Sequence, residues 1–105
     1  MKIIADDRFD WWEDIKRIIA VQFDHKGTDY VAMYIEYPDN VKEFAVLTKY
    51  YYDRIDSSYT EELVFDIHWT NIIPYLPTEM NNAKVDSEIR SKAMKAYEMI
   101  TGALK

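Results

Sequence analysis

Asp66 and His68 are the side chains with which this 105-residue chain most plainly could do chemistry. They stand two residues apart in the run ELVFDIHW, whose composition is that of a strand, so that both point to one face. A carboxylate beside an imidazole can bind a metal ion or act as a base with its orienting group. The interpretation that we favour is two solvated side chains on an outer strand face. His25, the other histidine, falls in a predicted turn and is expected to be exposed.

Motifs that would support catalysis are missing from the sequence. Gly27 and Gly102 are the only glycines, so no Gly-rich loop can cradle a phosphate, and neither a nucleophile elbow nor a His-Glu-x-x-His helix occurs. Adjacent carboxylates such as Glu61 and Glu62 would point apart on a strand. The sequence therefore predicts a protein that is not an enzyme and carries neither a metal nor a cofactor. A small-molecule or enzymatic domain with an aromatic pocket around Asp66 and His68 is the alternative.

The distribution of charge says more about partners than the net charge of −6. Residues 1–79 carry −8 and residues 80–105 carry +2, so the sheet region is acidic and the tail mildly basic. An acidic sheet opposes direct binding to nucleic acid, which requires Lys and Arg against the phosphates. We therefore expect a protein partner with a basic surface.

One acidic, tyrosine-bearing segment is the predicted docking patch. Residues 53–66 hold five carboxylates and one arginine, and three consecutive tyrosines precede them. Tyrosine is enriched at interfaces as well as in cores, and a charge run can equally be a solvated face, so both alternatives stay open. The residues expected to bind the partner are Tyr50, Tyr52, Asp53, Asp56, Tyr59, Glu61 and Glu62.

The stretch 30–69 positions these residues, because it reads as β-strands rich in aromatic and β-branched side chains. Alternation and turn residues predict a four-stranded antiparallel meander. Gly27 supplies the positive φ that the first hairpin turn requires, and Pro38-Asp39-Asn40 forms the second turn. In the last strand, one face is expected to carry Leu63, Phe65, Ile67 and Trp69. The strands are placed near residues 18–24, 29–37, 42–52 and 61–70.

Two helices are predicted, a short N-terminal one at the edge of the sheet and a C-terminal one packed on it. Asp10 and Glu13 form an Asp variant of the capping box, which indicates a short helix over 10–17. A second helix is expected over 87–101, capped by Asp86 and ended at Gly102, with its apolar stripe covering the sheet. Residues 2–5 read as a strand or extension, and the prolines of 72–77 indicate an apolar connector. The fold class is α+β, in one domain spanning 1–105.

Cysteine is absent, and no apolar run reaches the length of a signal peptide or a membrane span, so a cytoplasmic protein is expected. The small, acidic character of the chain resembles in general manner the inhibitors encoded by phages and other mobile elements, although no motif carries residues across. We expect a non-catalytic binding module, an inhibitor or adaptor. If its partner processes nucleic acid, a row of carboxylates along a strand would mimic phosphates.

Overall fold

The structure, a computed structural model, describes residues 1–54 and 63–105. Its single sheet has five antiparallel strands in the order of the sequence. The strands are β1 (Lys2–Arg8), β2 (Arg17–His25), β3 (Thr28–Glu36), β4 (Lys42–Thr48) and β5 (Leu63–Trp69). The helices are α1 (Lys49–Tyr52), α2 (Leu76–Asn82) and α3 (Ser87–Ala103), and a 3-10 turn spans Pro38–Asn40. The α+β class and the antiparallel meander are confirmed, but the sheet has five strands where the sequence predicted four.

The hairpin between β2 and β3 has the turn that the sequence predicts. Lys26 and Gly27 have φ values of 52° and 80°, and together they connect His25 to Thr28. Positive φ at both central residues matches the turn to the right-handed twist of the two strands. Asp39 and Asn40 also adopt positive φ in the second connection, 65° and 64°, which these two residue types tolerate.

The predicted helix over residues 10–17 is wrong. β1 is a full edge strand that pairs with β2 from Lys2 opposite Gln22 to Arg8 opposite Arg17. The backbone N–H of Phe9 donates to the carbonyl of Lys16 at 2.9 Å, so residues 9–16 continue the strand pair as a closed loop. A helix of two turns is marginal by itself, and the pairing of β1 with β2 outweighs the capping signal.

The predicted strand over residues 42–52 is too long, because β4 ends at Thr48 and the three tyrosines are in α1. The Thr48 hydroxyl accepts a hydrogen bond from the backbone N–H of Tyr51 at 3.4 Å, which caps the helix. Tyr51 and Tyr52 then pack on the sheet face opposite α3. Burial of these two rings stabilises the helical turn relative to a continued strand.

The main core lies between the sheet and α3, as predicted. Phe65 is 5% exposed and belongs to the same cluster as the buried stripe of α3, which consists of Ile89, Ala93, Ala96 and Ile100. Asp86 caps α3 by accepting hydrogen bonds from the backbone N–H groups of Glu88 and Ile89. The helix runs past the predicted end at Gly102, and Leu104 is its C-cap residue. We call the sheet face against α3 the inner face.

The opposite, outer face is also apolar. It carries a second buried cluster of Ala20, Val31, Met33, Ile35 and Leu47. An irregularity in the pairing of β4 with β5 sets Leu63 opposite Leu47 but Phe65 opposite Val46. Because the extra residue shifts the alternation, Leu63 packs on the outer face, so the prediction that it shares a face with Phe65 is wrong.

Two further segments differ from expectation. The connector predicted over 72–77 gives way to α2, which begins at Leu76 and accommodates Pro77 in its first turn, where no backbone N–H is needed. His25, expected to be exposed, is 6% exposed at the end of β2 beside Tyr30 and Glu88. Among the described residues, no helix combines the length and the apolar character that crossing a membrane requires.

Candidate functional site

The loop between β1 and β2, residues 9–16, presents the most exposed aromatic ring of the described chain. Trp11 is 79% exposed, yet it stacks on Trp12 with ring centroids 6.1 Å apart and planes 10° from parallel. Phe9 meets Trp11 and Trp12 edge-on, at 6.0 and 5.5 Å. Such ring pairs stabilise one arrangement of a loop. The exposed Trp11 ring is therefore held in one arrangement by its neighbours.

Carboxylates surround this aromatic cluster. Asp10, Glu13 and Asp14 are exposed within the loop, and Asp7 is exposed at the end of β1. The backbone of the loop is fixed at its base, where the N–H of Lys16 donates to the carbonyl of Glu36 at 2.7 Å. The loop thus combines an exposed, packed aromatic cluster with exposed negative charge.

The predicted docking patch lies partly in α1. Tyr50 is 59% exposed, and the Arg54 guanidinium stands 3.9 Å from the centre of its ring. Asp53 forms an ion pair with Lys49, so its charge is partly neutralised. Tyr52 is half-buried on the outer face. Four predicted residues, Asp56, Tyr59, Glu61 and Glu62, lie outside the described residues.

The β1–β2 loop and α1 share the outer side of the sheet. Ile15 from the loop and Tyr52 from α1 pack against the same apolar cluster. Burial raises the pKa of Tyr52, the Lys49 charge opposes that rise, and the Asp7 carboxylate adds to it. Since Asp7 is within electrostatic reach of Tyr52, the tertiary structure brings the acidic end of β1 close to the segment in which the sequence placed the docking patch.

Asp66 and His68, the alternative site, are joined by a carboxylate from β4. The strand register sets Glu43 directly opposite His68, and His68 Nε2 lies 3.5 Å from Glu43 Oε1. His68 Nδ1 lies 4.0 Å from Asp66 Oδ2. The hydroxyl of Tyr37 donates a hydrogen bond to Glu43 Oε1. Glu43 is 8% exposed and forms the base of this cluster, the Asp66 side chain is 28% exposed, and the His68 side chain is half-exposed.

The neighbouring Glu43 carboxylate affects the pKa of Asp66. Burial, a hydrogen bond with Glu43 and the negative charge of Glu43 raise the pKa of Asp66 to about 7. Burial first, and then the hydrogen bond to Glu43, raise the pKa of the Tyr37 hydroxyl as well. The pKa of Asp66 therefore lies well above that of a solvated aspartate.

An enzymatic or small-molecule site at Asp66 and His68 would need an aromatic pocket beside them. The aromatic groove of the described residues lies in another place. A groove of about 340 Å³ opens between the end of β5 and the C-terminal half of α3, and Tyr34, Trp69 and Tyr97 line it. Asp66 and His68 are not among its lining residues, because they project from the outer face. Within the described residues, the polar cluster and this groove are separate features, and the aromatic groove has no such carboxylate–histidine set.

Sequence reasoning missed Glu43 and Trp11 as site residues. Glu43, Ala45 and Leu47 alternate along one strand face. A carboxylate on a face that is otherwise apolar was the signal that could have identified Glu43. Trp11 falls within the helix predicted over 10–17, whereas the structure places it in a loop, 79% exposed. The signal for that loop was the interruption of a short strand by Asp10, Glu13 and Asp14.

Comparisons with known proteins supply no family for the chain. No family model matches it, and no match was found among curated proteins or solved structures.

Proposed function

We propose that this protein is a non-catalytic binding module, an inhibitor or adaptor, that docks on the basic surface of a protein partner. The observation that supports this proposal best is Trp11, 79% exposed and stacked on Trp12 inside an acidic loop. An exposed tryptophan is an unfavourable contact with water, and loops carry recognition more often than the elements that they join. Tryptophan is also among the residues that contribute most to protein interfaces.

The negative charge of the loop favours a partner whose surface is positively charged. The segment 6–14 carries five carboxylates and one arginine. Of these carboxylates, Asp6 pairs with Arg17, whereas Asp10, Glu13 and Asp14 are exposed in the loop. Exposed carboxylates attract a surface rich in Lys and Arg, and they accelerate association more than they strengthen the final complex.

The finer proposal is that the partner processes nucleic acid and that the acidic side of this protein occupies its phosphate-binding surface. Protein surfaces that bind phosphates are rich in Lys and Arg, which is the complement of the β1–β2 loop. The predicted patch residues of α1, Tyr50 and Asp53, would extend the contact, since α1 shares the outer side of the sheet with the loop.

Affinity capture with matched variants tests this function. The immobilised wild-type chain, Trp11→Ala and Tyr75→Ala are each exposed to lysate of the organism that encodes the chain. Tyr75 is the matched control, because it is an aromatic residue 72% exposed and lies outside the acidic loop. We expect one basic protein to be retained by wild type and Tyr75→Ala, lost from Trp11→Ala, and released by high salt.

The outcome is decisive in either direction. Retention that survives both Trp11→Ala and high salt would show that docking does not use this loop, and no specific retention would remove the binding function. Competition with duplex DNA distinguishes docking on a phosphate-binding surface from docking on some other basic surface. Duplex DNA should displace the captured protein if its phosphate-binding surface is the contact, and should leave the complex intact otherwise.

A further inference from the structure

The outer face also holds three side chains that no docking function requires. Glu43 projects from β4, and Asp66 and His68 project from β5. Each offers one possible ligand atom, and these atoms all lie within 4.8 Å of one another. We propose that Glu43, Asp66 and His68 bind a divalent transition-metal ion, for which Zn²⁺ is the ion best suited to the set. This site is independent of the β1–β2 loop, and it departs from the expectation of a metal-free protein.

The ligand types and spacing suit zinc. Zinc binds imidazole nitrogen and carboxylate oxygen together, and three protein ligands leave one position of a tetrahedron for water. With bonds of about 2.1 Å, two ligands of a tetrahedral zinc ion lie about 3.4 Å apart. His68 Nε2 and Glu43 Oε1 are 3.5 Å apart. The His68 side chain is 53% exposed, so its ring has room to rotate toward the two carboxylates.

Electrostatics favour a cation at this point. The Glu43 side chain is 11% exposed, and among the described residues both Glu43 and Asp66 pair with His68, which is charged only when protonated. Lys42, the neighbouring base, donates instead to Asn40. A nearly buried carboxylate beside a second one costs free energy unless a positive charge compensates them. A divalent ion would neutralise both.

Tyr37 supplies the outer support that metal ligands usually have. Its hydroxyl donates to Glu43 Oε1, which fixes the carboxylate, and the second lone pair of the same oxygen can still bind the ion. The Tyr37 and His68 rings lie 6.3 Å apart and 31° from parallel, so the tyrosine also borders the histidine. Hydrogen bonds of this kind orient ligating carboxylates and contribute to metal affinity.

A second group of possible metal ligands, His25, Asp86 and Glu88, has comparable spacing, but Asp86 in it caps a helix. Asp86 Oδ1 accepts hydrogen bonds from the N–H groups of Glu88 and Ile89 as the cap of α3. Those two bonds lower the pKa of Asp86 and use both lone pairs of its Oδ1. This group therefore provides the matched control for the proposed site.

The test is zinc binding to the full chain after treatment with EDTA, measured by calorimetry and by metal analysis after dialysis. We expect wild type to bind one Zn²⁺, and His68→Ala and Asp66→Asn each to bind at least about tenfold more weakly. Asp86→Ser, which retains a capping hydroxyl, should bind as wild type does. Zinc should also raise the melting temperature of wild type and Asp86→Ser by more than it raises that of His68→Ala or Asp66→Asn.

Three results would overturn the proposal: no zinc bound by the wild type, stoichiometric binding that survives both His68→Ala and Asp66→Asn, or binding lost in Asp86→Ser instead. Circular dichroism of each variant establishes that the fold is retained. His68 is half-exposed, so its removal should leave the sheet intact, and Asp66→Asn provides a second, isosteric probe. Because none of these variants alters Trp11, failure here leaves the docking proposal to its own experiment.

Discussion

Arg17 and Asp6 form an ion pair across β1 and β2, with Nη2 and Oδ1 3.1 Å apart. The same Nη2 donates to the carbonyl of Ala103 at the end of α3, at 3.4 Å. The Arg17 side chain is 11% exposed and the Asp6 side chain 39%. One buried guanidinium therefore connects the edge strand, the sheet and the last turn of the helix, at the N-terminal and C-terminal ends of the chain.

Replacement of Arg17 should cost more stability than replacement of its partner. Arg17→Ala leaves Asp6 and the Ala103 carbonyl without their donor and removes the buried stem, so we expect a loss of about 1–3 kcal/mol in urea unfolding. Asp6→Asn should cost less than about 1 kcal/mol, because Asp6 is partly exposed and the amide oxygen still accepts. Equal losses would mean that the contact with Ala103 contributes nothing.

Truncation of Phe65 tests the inner core. Phe65 is 5% exposed in the same buried cluster as Phe44 and the stripe of α3, and Phe65→Ala should lower the free energy of unfolding by about 3–5 kcal/mol. Tyr75→Ala, at an exposed aromatic position, should change it by less than about 0.5 kcal/mol. A loss below about 1 kcal/mol for Phe65→Ala in denaturant melts would contradict this register of β5.

The pKa of Asp66 predicts how stability varies with pH. Its folded value of about 7 lies above the ordinary 3.8, so the folded state holds this proton more tightly. Stability is therefore highest below pH 4 for this group and declines as pH rises to 7. Glu43, His68 and Tyr37 face the same carboxyl. Asp66→Asn should remove the decline.

The measurement is urea unfolding in EDTA at acid and at mildly alkaline pH. Above pH 7, Asp66→Asn should be more stable than wild type by on the order of 1 kcal/mol, since solvent screens part of the effect at this partly exposed group. Below pH 4 the two proteins should be nearly equal. A variant less stable than wild type at both pH values would show that the carboxyl is not under electrostatic strain.

Kinetics with the captured partner should separate anchoring from steering. Glu13→Lys combined with Asp14→Lys should slow association and weaken its salt dependence, because the double change reverses exposed charge in the loop. Trp11→Ala should mainly speed dissociation. If neither salt nor charge reversal affects the association rate, the loop carboxylates take no part in binding and the loop is a solvated turn.

The α1 segment should contribute less than the loop. Tyr50 is exposed, but Arg54 lies over its ring, and Asp53 is paired with Lys49. Tyr50→Ala should therefore speed dissociation less than Trp11→Ala does. The reverse order would move the centre of docking to the patch predicted from the sequence, and Glu61→Lys with Glu62→Lys would then be the informative charge reversal.

Local signals in the sequence were sufficient for several elements. Asp86 caps α3, and the buried stripe of that helix follows its 3.6-residue period. Gly27 determines the first hairpin, and the alternation in β5 identifies Phe65 as a core residue. These features depend on neighbours a few residues away in the chain, so the sequence by itself could specify them.

Other features depended on partners far away in the chain. Pairing with β2 turned residues 9–16 into a loop despite the cap signal at Asp10, and burial against the outer face placed Tyr51 and Tyr52 in a helix. Glu43 meets His68 through a register that follows an irregularity near Leu47. Because a shift of one residue reverses the face of every side chain, only the tertiary structure could decide which groups converge.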